Sequence, residues 1–263
     1  MPIMQGFLAY LLETAAGWAR DARLALGFLT RIPVGETLDP RPLALAVRAF
    51  PLVGLMVGAA AALALWGATL LAWPPLLSAL LALAVLALTT GALHEDGLAD
   101  TADGLGHPGG PEDKLAVMRD SRIGTFGTLA LVFSVGIRAA ALSGMRGDIE
   151  AVFAVAAACV LSRAALPAVM ALHAPARTDG LAVAAGRPDL DGVATAGALG
   201  VLFALLLVGF QAGVVAAAAA AAAALLAARF AANRLGGITG DVVGAVEQAA
   251  QIAALLALAW ALQ

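Results

Sequence analysis

Residues 50–72 have the sequence FPLVGLMVGAAAALALWGATLLA, and none of these side chains is charged. A helix needs about 20 apolar residues to cross the hydrocarbon core of a bilayer. The same pattern runs through the chain, since 62% of its 263 residues are hydrophobic and only 13% are charged. A soluble domain carries about 25% charged residues. The composition therefore predicts an integral membrane protein.

Apolar runs separated by turn and charge signals predict about seven transmembrane helices. They cover approximately 50–72, 76–93, 124–142, 151–172, 193–210, 213–232 and 249–262. The charged and apolar residues before them predict an amphipathic helix that lies at the membrane surface. We therefore expect an all-α, polytopic membrane helix bundle that forms one domain over 1–263. Within it, 1–49 is a cytoplasmic or interfacial segment and 50–263 is the transmembrane bundle.

The placement of Lys and Arg predicts that the N-terminus is inside the cell and the C-terminus outside. With this orientation, twelve of the 15 basic residues are cytoplasmic, and only Arg146 lies in an outside loop. The long polar loops, 94–123, 173–192 and 233–248, then face the cytoplasm, so we expect the functional site there. A net charge of −3 argues against a nucleic-acid partner.

Residues 94–104, HEDGLADTADG, form the densest polar segment. If it continues the second span as a helix, Asp96, Asp100 and Asp103 lie within about 60° of one face. Three carboxylates this close repel one another unless a cation lies between them. Mg²⁺ prefers such oxygen ligands and often shares them with substrate phosphates. At a membrane edge we favour this site over a solvated acidic loop, and His94 could orient a carboxylate or act as a base.

Residues 118–125, MRDSRIGT, precede the third predicted span. Arg119 and Arg122 offer guanidinium forks that suit phosphate, and Asp120 offers a further carboxylate. Ser121 belongs to a helix start that suits anions. The alternative for both arginines is a role as positively charged anchors on the cytoplasmic side.

Residues 235–247, LGGITGDVVGAVE, contain glycines that would let backbone amides approach a phosphate. Thr239 and Gly240 lie in this loop, and Asp241 could add a metal ligand. An ordinary turn between helices is the alternative.

Two arginines fall inside predicted spans. Arg163 must pair there with an acid or with a substrate phosphate. Arg138 could instead extend its side chain to the outer interface.

Together these segments resemble the cobalamin synthase family, the adenosylcobinamide-GDP ribazoletransferases. The resemblance covers about 28–247 and is carried by 28–34, 50–54, 93–94, 96–104, 118–125, 161–164 and 236–241. Glu95 departs from the family pattern, where an apolar residue is expected.

The resemblance implies a Mg²⁺-dependent transferase of the bacterial inner membrane whose site faces the cytoplasm. A hydroxyl of α-ribazole, or of its 5′-phosphate, attacks the phosphate attached to cobinamide in adenosylcobinamide-GDP, and GMP leaves. Other enzymes of cobalamin synthesis could dock on the same face. The implied catalytic residues are His94, Asp96, Asp100 and Asp103. The implied metal ligands are Asp96, Asp100, Asp103, Asp120 and Asp241. The implied phosphate-binding residues are Arg119, Ser121, Arg122, Arg163, Thr239 and Gly240.

Two alternatives stay open. A CDP-alcohol phosphotransferase also uses spaced aspartates and Mg²⁺ in a membrane, but its pattern has Arg where this chain has Asp100. A secondary transporter could use the carboxylates for ion coupling, although such sites usually lie near the bilayer midplane. Arg163 inside a span keeps that alternative open.

Overall fold

The computed structural model describes residues 2–35, 41–145 and 147–262, with side-chain surroundings from Leu12 onward. These residues form helices and connecting loops, without a β-strand. The helices are α1 (Pro2–Leu29), a 3-10 segment (Leu43–Ala49), α2 (Phe50–Leu70), α3 (Pro75–Thr90), α4 (Leu93–Gly106), α5 (Pro111–Val117), α6 (Thr125–Ser143), α7 (Asp148–Leu172), α8 (Leu181–Ala185), α9 (Leu190–Val208), α10 (Phe210–Leu235) and α11 (Gly240–Ala261).

Six of the described segments are long and apolar enough to cross a membrane. They are Leu43–Leu70, Thr125–Ser143, Asp148–Leu172, Leu190–Val208, Phe210–Leu235 and Gly240–Ala261. Helices α3 and α4 meet the same criterion only as a pair, which is bent by 92°. The prediction of an all-α, polytopic membrane bundle with about seven spans is confirmed, while its orientation stays a prediction.

Helix α1 is anchored to the rest of the bundle by a buried acid. The Asp21 carboxylate is 2.6 Å from Nε of Arg48 and 3.3 Å from Nη1 of Arg41. The Arg48 guanidinium also stacks over the Trp18 ring, 4.3 Å from its centroid. These contacts fix α1 against the 3-10 segment. The predicted N-terminal helix is present, and its position at the membrane surface stays a prediction.

Helix α7 forms the centre of the bundle, because every residue from Ala154 to Ala164 is buried. It packs against α2, α9, α10 and α11. Helix α2 comes close because two of its glycines face α7. A Cβ added at Gly54 would lie 2.5 Å from the Cys159 carbonyl oxygen, and one at Gly58 would lie 2.9 Å from Cα of Ala156. Small residues at such contacts allow close packing in membrane bundles.

The Gly54→Ala variant is expected to lose about 1–3 kcal/mol of unfolding free energy, because the added methyl overpacks the α2–α7 contact. Gly67→Ala is the matched control on the same helix, since no atom of the described residues lies within 4 Å of its added Cβ. The control is expected to keep or slightly raise stability, because Ala favours helix more than Gly. Thermal unfolding in detergent measures both. If Gly54→Ala had the same melting temperature as Gly67→Ala, the close α2–α7 contact would be contradicted.

The connection between α3 and α4 corrects one expectation. The acidic segment is helical, but it does not continue the second span. Gly91 and Ala92 have φ angles of 68° and 57°, so two consecutive residues in the left-handed region end α3 and redirect the chain. Arg31 packs over Gly91 and its backbone N–H donates to the Thr89 carbonyl at 2.8 Å. Helix α4 thus leaves the line of α3 and packs on α11 and α6.

The last helix also differs from prediction, since 249–262 covers only its second half. Helix α11 begins at Gly240, where the Thr239 hydroxyl caps it by accepting a 3.2 Å hydrogen bond from the Val242 N–H. The predicted polar loop 233–248 is therefore wrong, and only 236–239 separate α10 from α11. Polar residues in the first half of α11 are tolerated because partners on other helices satisfy them.

Candidate active site

An acidic cluster forms where α4 crosses the start of α11. Asp96 and Asp100 lie one turn apart on α4, and Asp241 lies in the first turn of α11. Gly97 permits the crossing, since a Cβ there would be 2.6 Å from the Asp241 carbonyl oxygen. The carboxylates of Asp96, Asp241 and Asp103 are close enough to Asp100 for their charges to act on it. The cluster is therefore a place where a cation relieves repulsion.

The acidic cluster fits a magnesium ion that is shared with a substrate. Within the described ranges, no three His, Cys, Asp or Glu side chains are arranged to hold a metal by themselves. Mg²⁺ usually binds through one or two carboxylates and completes its shell with waters and substrate phosphates. Asp96, Asp100 and Asp241 supply oxygen donors of this kind at one crossing. A magnesium site at these residues stays a prediction.

Asp103 has a different environment from the other acids of α4. Its Oδ2 accepts a hydrogen bond from the Gly124 N–H at 2.7 Å, and its Oδ1 accepts one from the Gly127 N–H at 2.9 Å. Both oxygens therefore hold the first turn of α6, whose N–H groups have no partner within the helix. These contacts make Asp103 an anchor for α6, while its assignment as a metal ligand and as a catalytic group stays a prediction.

The Asp103→Ala variant is expected to lose about 1–3 kcal/mol of unfolding free energy, because it leaves two backbone donors without acceptors. Asp148→Ala is the control, since Asp148 is an exposed acid in the first turn of α7. Melting temperature in detergent and activity per folded molecule are both measured. Complete loss of activity at an unchanged melting temperature would instead return Asp103 to the metal site.

The charged side chains in the segment before α6 form exposed ion pairs. Arg119 donates to both Asp179 oxygens at 2.8 and 2.9 Å. Arg122 lies 2.7 Å from Asp120, and its hydrogen bonds lower the pKa of that carboxyl to about 2. Asp120 thus bonds to Arg122 rather than joining the acids of α4, while Ser121 is exposed. Phosphate binding by these two arginines stays a prediction. Both side chains are exposed, so a phosphate can reach them and replace their carboxylate partners.

The start of α11 orients one acid of the cluster. The buried Thr239 hydroxyl donates to Oδ2 of Asp241 at 3.2 Å while it caps the helix. Gly240 follows it as the first residue of α11 and lines the same region. Their predicted part in phosphate binding is untested, but Thr239 has a visible role in holding Asp241.

A second loop brings an additional cation to the cluster. The Ile238 N–H donates to the Ala174 carbonyl at 2.9 Å, and the Ala176 N–H donates to the Ile238 carbonyl at 2.8 Å. Gly237 allows this contact, because a Cβ there would be 2.5 Å from the Ala174 carbonyl oxygen. The next residue, Arg177, is close enough for its charge to act on the cluster.

Arg177 is a functional candidate that sequence reasoning missed, because its place in a polar loop marked it only as a topology signal. Its Nη2 donates to the Leu115 carbonyl at 2.9 Å. Its Nε is buried and has no hydrogen-bond partner within the described part of the chain. A guanidinium with an unused donor beside carboxylates suits a phosphate oxygen.

Arg163 is paired inside the bundle. Its Nη1 donates to Oε1 of Glu247 at 2.8 Å, and the Ser162 hydroxyl donates to the same oxygen at 2.7 Å. Arg163 is 2% exposed and Glu247 is fully buried. Of the two partners predicted for Arg163, the structure shows the acid, and its assignment to substrate phosphate stays a prediction.

Arg138 also faces inward. It is 1% exposed, donates to Oε1 of Gln251 at 2.6 Å and lies 3.5 Å from Oε1 of Glu95. The Gln248 amide donates to the same Glu95 oxygen at 3.2 Å. The expectation that Arg138 reaches the outer interface is therefore wrong. These contacts also give Glu95, the departure from the family pattern, a partner in the bundle.

A cleft of about 340 Å³ opens beside the acidic cluster, and we call it the apolar cleft. His94, Asp96 and Asp241 line its polar end, and residues of α1, α2, α7 and α8 line its apolar walls. His94 is 3% exposed, and its Nδ1 lies 3.9 Å from Oε2 of Glu247. Its Nε2 is buried and has no hydrogen-bond partner among the described residues. The predicted catalytic histidine therefore lines the cleft and has an unused ring nitrogen.

Comparison with known proteins gives the family. The model of the cobalamin-5-phosphate synthase family matches residues 21–259. An adenosylcobinamide-GDP ribazoletransferase of Bradyrhizobium diazoefficiens is 47% identical over 199 residues, which are 75% of this chain and 76% of the relative. The enzyme of the same name from Rhizobium johnstonii is 44% identical over 198 residues, 73% of this chain and 76% of the relative.

A third enzyme of that name, from Sinorhizobium medicae, is 42% identical over 203 residues, 74% of this chain and 76% of the relative. No solved structure matches the chain. The family match covers the acidic cluster, the buried arginine pairs and the apolar cleft alike. The chain belongs to the cobalamin-5-phosphate synthase family.

Proposed function

We propose that this chain joins adenosylcobinamide-GDP to α-ribazole, or to its 5′-phosphate, and releases GMP. The observation that carries the proposal is the acidic cluster of Asp96, Asp100 and Asp241 beside a cleft, in a chain that is 47% identical to an adenosylcobinamide-GDP ribazoletransferase. A cluster of carboxylates beside phosphate-binding cations suits phosphoryl transfer, in which positioning and charge neutralisation do most of the catalysis.

In the proposed reaction, a ribose hydroxyl oxygen forms a bond to the phosphorus attached to cobinamide. The bond from that phosphorus to the oxygen that bridges to GMP breaks, and GMP leaves with the bridging oxygen. The attacking hydroxyl loses its proton. His94 is the group we propose to receive it, because this residue lines the cleft and its Nε2 has no partner among the described residues.

Charge on the diphosphate must be neutralised while this bond is broken. Mg²⁺, when bound, would supply positive charge there, and Asp96, Asp100 and Asp241 are the residues that would hold it. Arg177 would contact phosphate oxygens through its unused Nε. Arg119 and Arg122 would do so by exchanging their exposed carboxylate partners for phosphate.

We further propose that the chain works in the bacterial inner membrane with the acidic cluster on the cytoplasmic side. The excess of Lys and Arg in the segments next to the cluster supports this side. Other cobalamin-synthesis enzymes that handle the same substrates would dock on that face.

The test is an assay of purified, detergent-solubilised protein with adenosylcobinamide-GDP, α-ribazole or its 5′-phosphate, and Mg²⁺. GMP release and cobalamin formation are expected in equal amounts, and EDTA is expected to stop both. No turnover by well-folded protein with either ribazole form would overturn the proposal, and CDP-alcohol substrates would then be tried. Uptake of one of these substrates into proteoliposomes without GMP release would favour the transporter alternative. The ion pair with Glu247 explains why Arg163 lies inside a span, so this arginine does not itself indicate transport.

A further inference from the structure

The apolar cleft is unusual for a site that handles phosphates, because its walls contain few hydrogen-bonding side chains. It is enclosed by the ends of α1, α2, α4 and α7, by α8 and by the start of α11. Among the residues that the structure describes, only five of those lining the cleft have polar side chains, and two of these belong to the acidic cluster. The five are His94, Asp96, His173, Arg187 and Asp241.

We propose that the apolar cleft binds the base of the incoming nucleoside, α-ribazole, and holds its ribose toward the acidic cluster. This inference rests on the proposed function, because it assigns one of that reaction's two substrates to a place. The cleft, at about 340 Å³, lies at the small end of the roughly 300–1,000 Å³ range of ligand pockets. It has room for a nucleoside, whereas the corrin ring with its side chains is several times larger.

The chemistry of the walls separates the two nucleosides of the reaction. The base of α-ribazole is a flat dimethylbenzimidazole with two methyl groups, one free ring nitrogen and no N–H donor. The guanine of adenosylcobinamide-GDP carries ring and amino N–H donors and a carbonyl acceptor. Beside Leu166, Met170 and Val183 those groups would lose their hydrogen bonds to water without replacement. The walls therefore favour the ribazole base over guanine.

The polar end of the cleft fixes the direction of the nucleoside. Asp96 and Asp241 line that end, and His94 lies beside them with a buried Nε2 that has no partner. A buried ring nitrogen left without a hydrogen bond is costly and calls for a polar partner. A ribose hydroxyl supplies one, and in this direction the attacking oxygen lies at the acidic cluster.

The test narrows the cleft from α8 and measures each substrate separately. Ala182 lines the cleft, whereas Ala184 on the same helix is exposed and lies outside it. Ala182→Val and Ala182→Leu are made, with Ala184→Leu as the matched control. The KM for α-ribazole is expected to rise in the order Ala, Val, Leu, by about tenfold or more for Leu. The KM for adenosylcobinamide-GDP is expected to stay within about twofold.

The second KM also reports that the variants are folded. A rise confined to the KM for adenosylcobinamide-GDP would overturn the proposal and give the cleft to the guanosine or the corrin. An unchanged KM for α-ribazole in Ala182→Leu, or an equal rise in Ala184→Leu, would overturn it as well. If wild-type protein makes no product, the proposed function fails first. Calorimetric titration of wild-type protein and Ala182→Leu with α-ribazole then tests binding in the cleft without turnover. Equal affinities of the two proteins for α-ribazole would reject the proposal.

Discussion

The Asp100→Asn variant is expected to lose at least about 100-fold in the rate of GMP release, a loss typical of removing one group that neutralises transition-state charge. Asp100 is the acid on which the charges of Asp96 and Asp241 both act. Asn keeps the size of the side chain but removes the negative charge that a cation needs. The measurement is the rate of GMP release at saturating Mg²⁺ and substrates.

Stability separates this loss from misfolding. Removing one of several like charges relieves repulsion, so the melting temperature of Asp100→Asn is expected to equal or exceed that of the wild type. Mg²⁺ is expected to raise the melting temperature of the wild type more than that of the variant, because a ligand that binds only the folded state stabilises it. Glu112→Gln, at an exposed acid on α5, is the control and should leave rate and stability unchanged. Full activity in Asp100→Asn would reject the metal assignment.

The Arg163→Met variant is expected to lose about 3–5 kcal/mol of stability, because Glu247 would remain buried and charged without its partner. The pair is deep in the bundle, where Arg163 is 2% exposed and Glu247 is fully buried. The loss should appear as a large fall in melting temperature, with little folded protein at the growth temperature of the host.

The double variant Arg163→Met with Glu247→Met tests whether the pair acts as a unit. It should recover much of the lost stability, since replacing a whole buried pair with apolar residues is often neutral. Arg119→Met is the control, because the Arg119–Asp179 pair is exposed and exposed pairs contribute little. If the double variant were less stable than Arg163→Met alone, the two residues would not be each other's main partners.

The apolar bundle could be predicted from sequence because hydropathy is a local property. The runs at 50–72 and 151–172 coincide closely with α2 and α7. The start of α11 was placed nine residues too late, because Glu247 and Gln248 look like loop residues until their partners are known. Those partners are distant in the chain, since Arg163 and Glu247 are 84 positions apart. No local pattern indicates such a pairing.

The candidate site was predicted in part for the same reason. Spacing alone placed Asp96 and Asp100 on one helix face, and the glycine-rich segment 235–247 pointed to Asp241 as a further metal ligand. Spacing could not show that Asp103 turns toward α6, because that depends on where Gly124 and Gly127 lie in space. Nor could it show that Arg177 approaches the acids, which depends on the contact between two loops.

The late position of α11 in the chain has a consequence for biogenesis. Arg163 in α7 is synthesised 84 positions before Glu247 in α11. The Arg163 guanidinium is therefore without its counter-ion until α11 has been made. The acids of α4 likewise lack Asp241, and α4 lacks the helix on which it packs, until α11 has been made. A nascent chain stopped before Gly240 would contain nearly every span but no complete site. It would also leave the Arg163 guanidinium inside the bundle without the carboxylate that neutralises it.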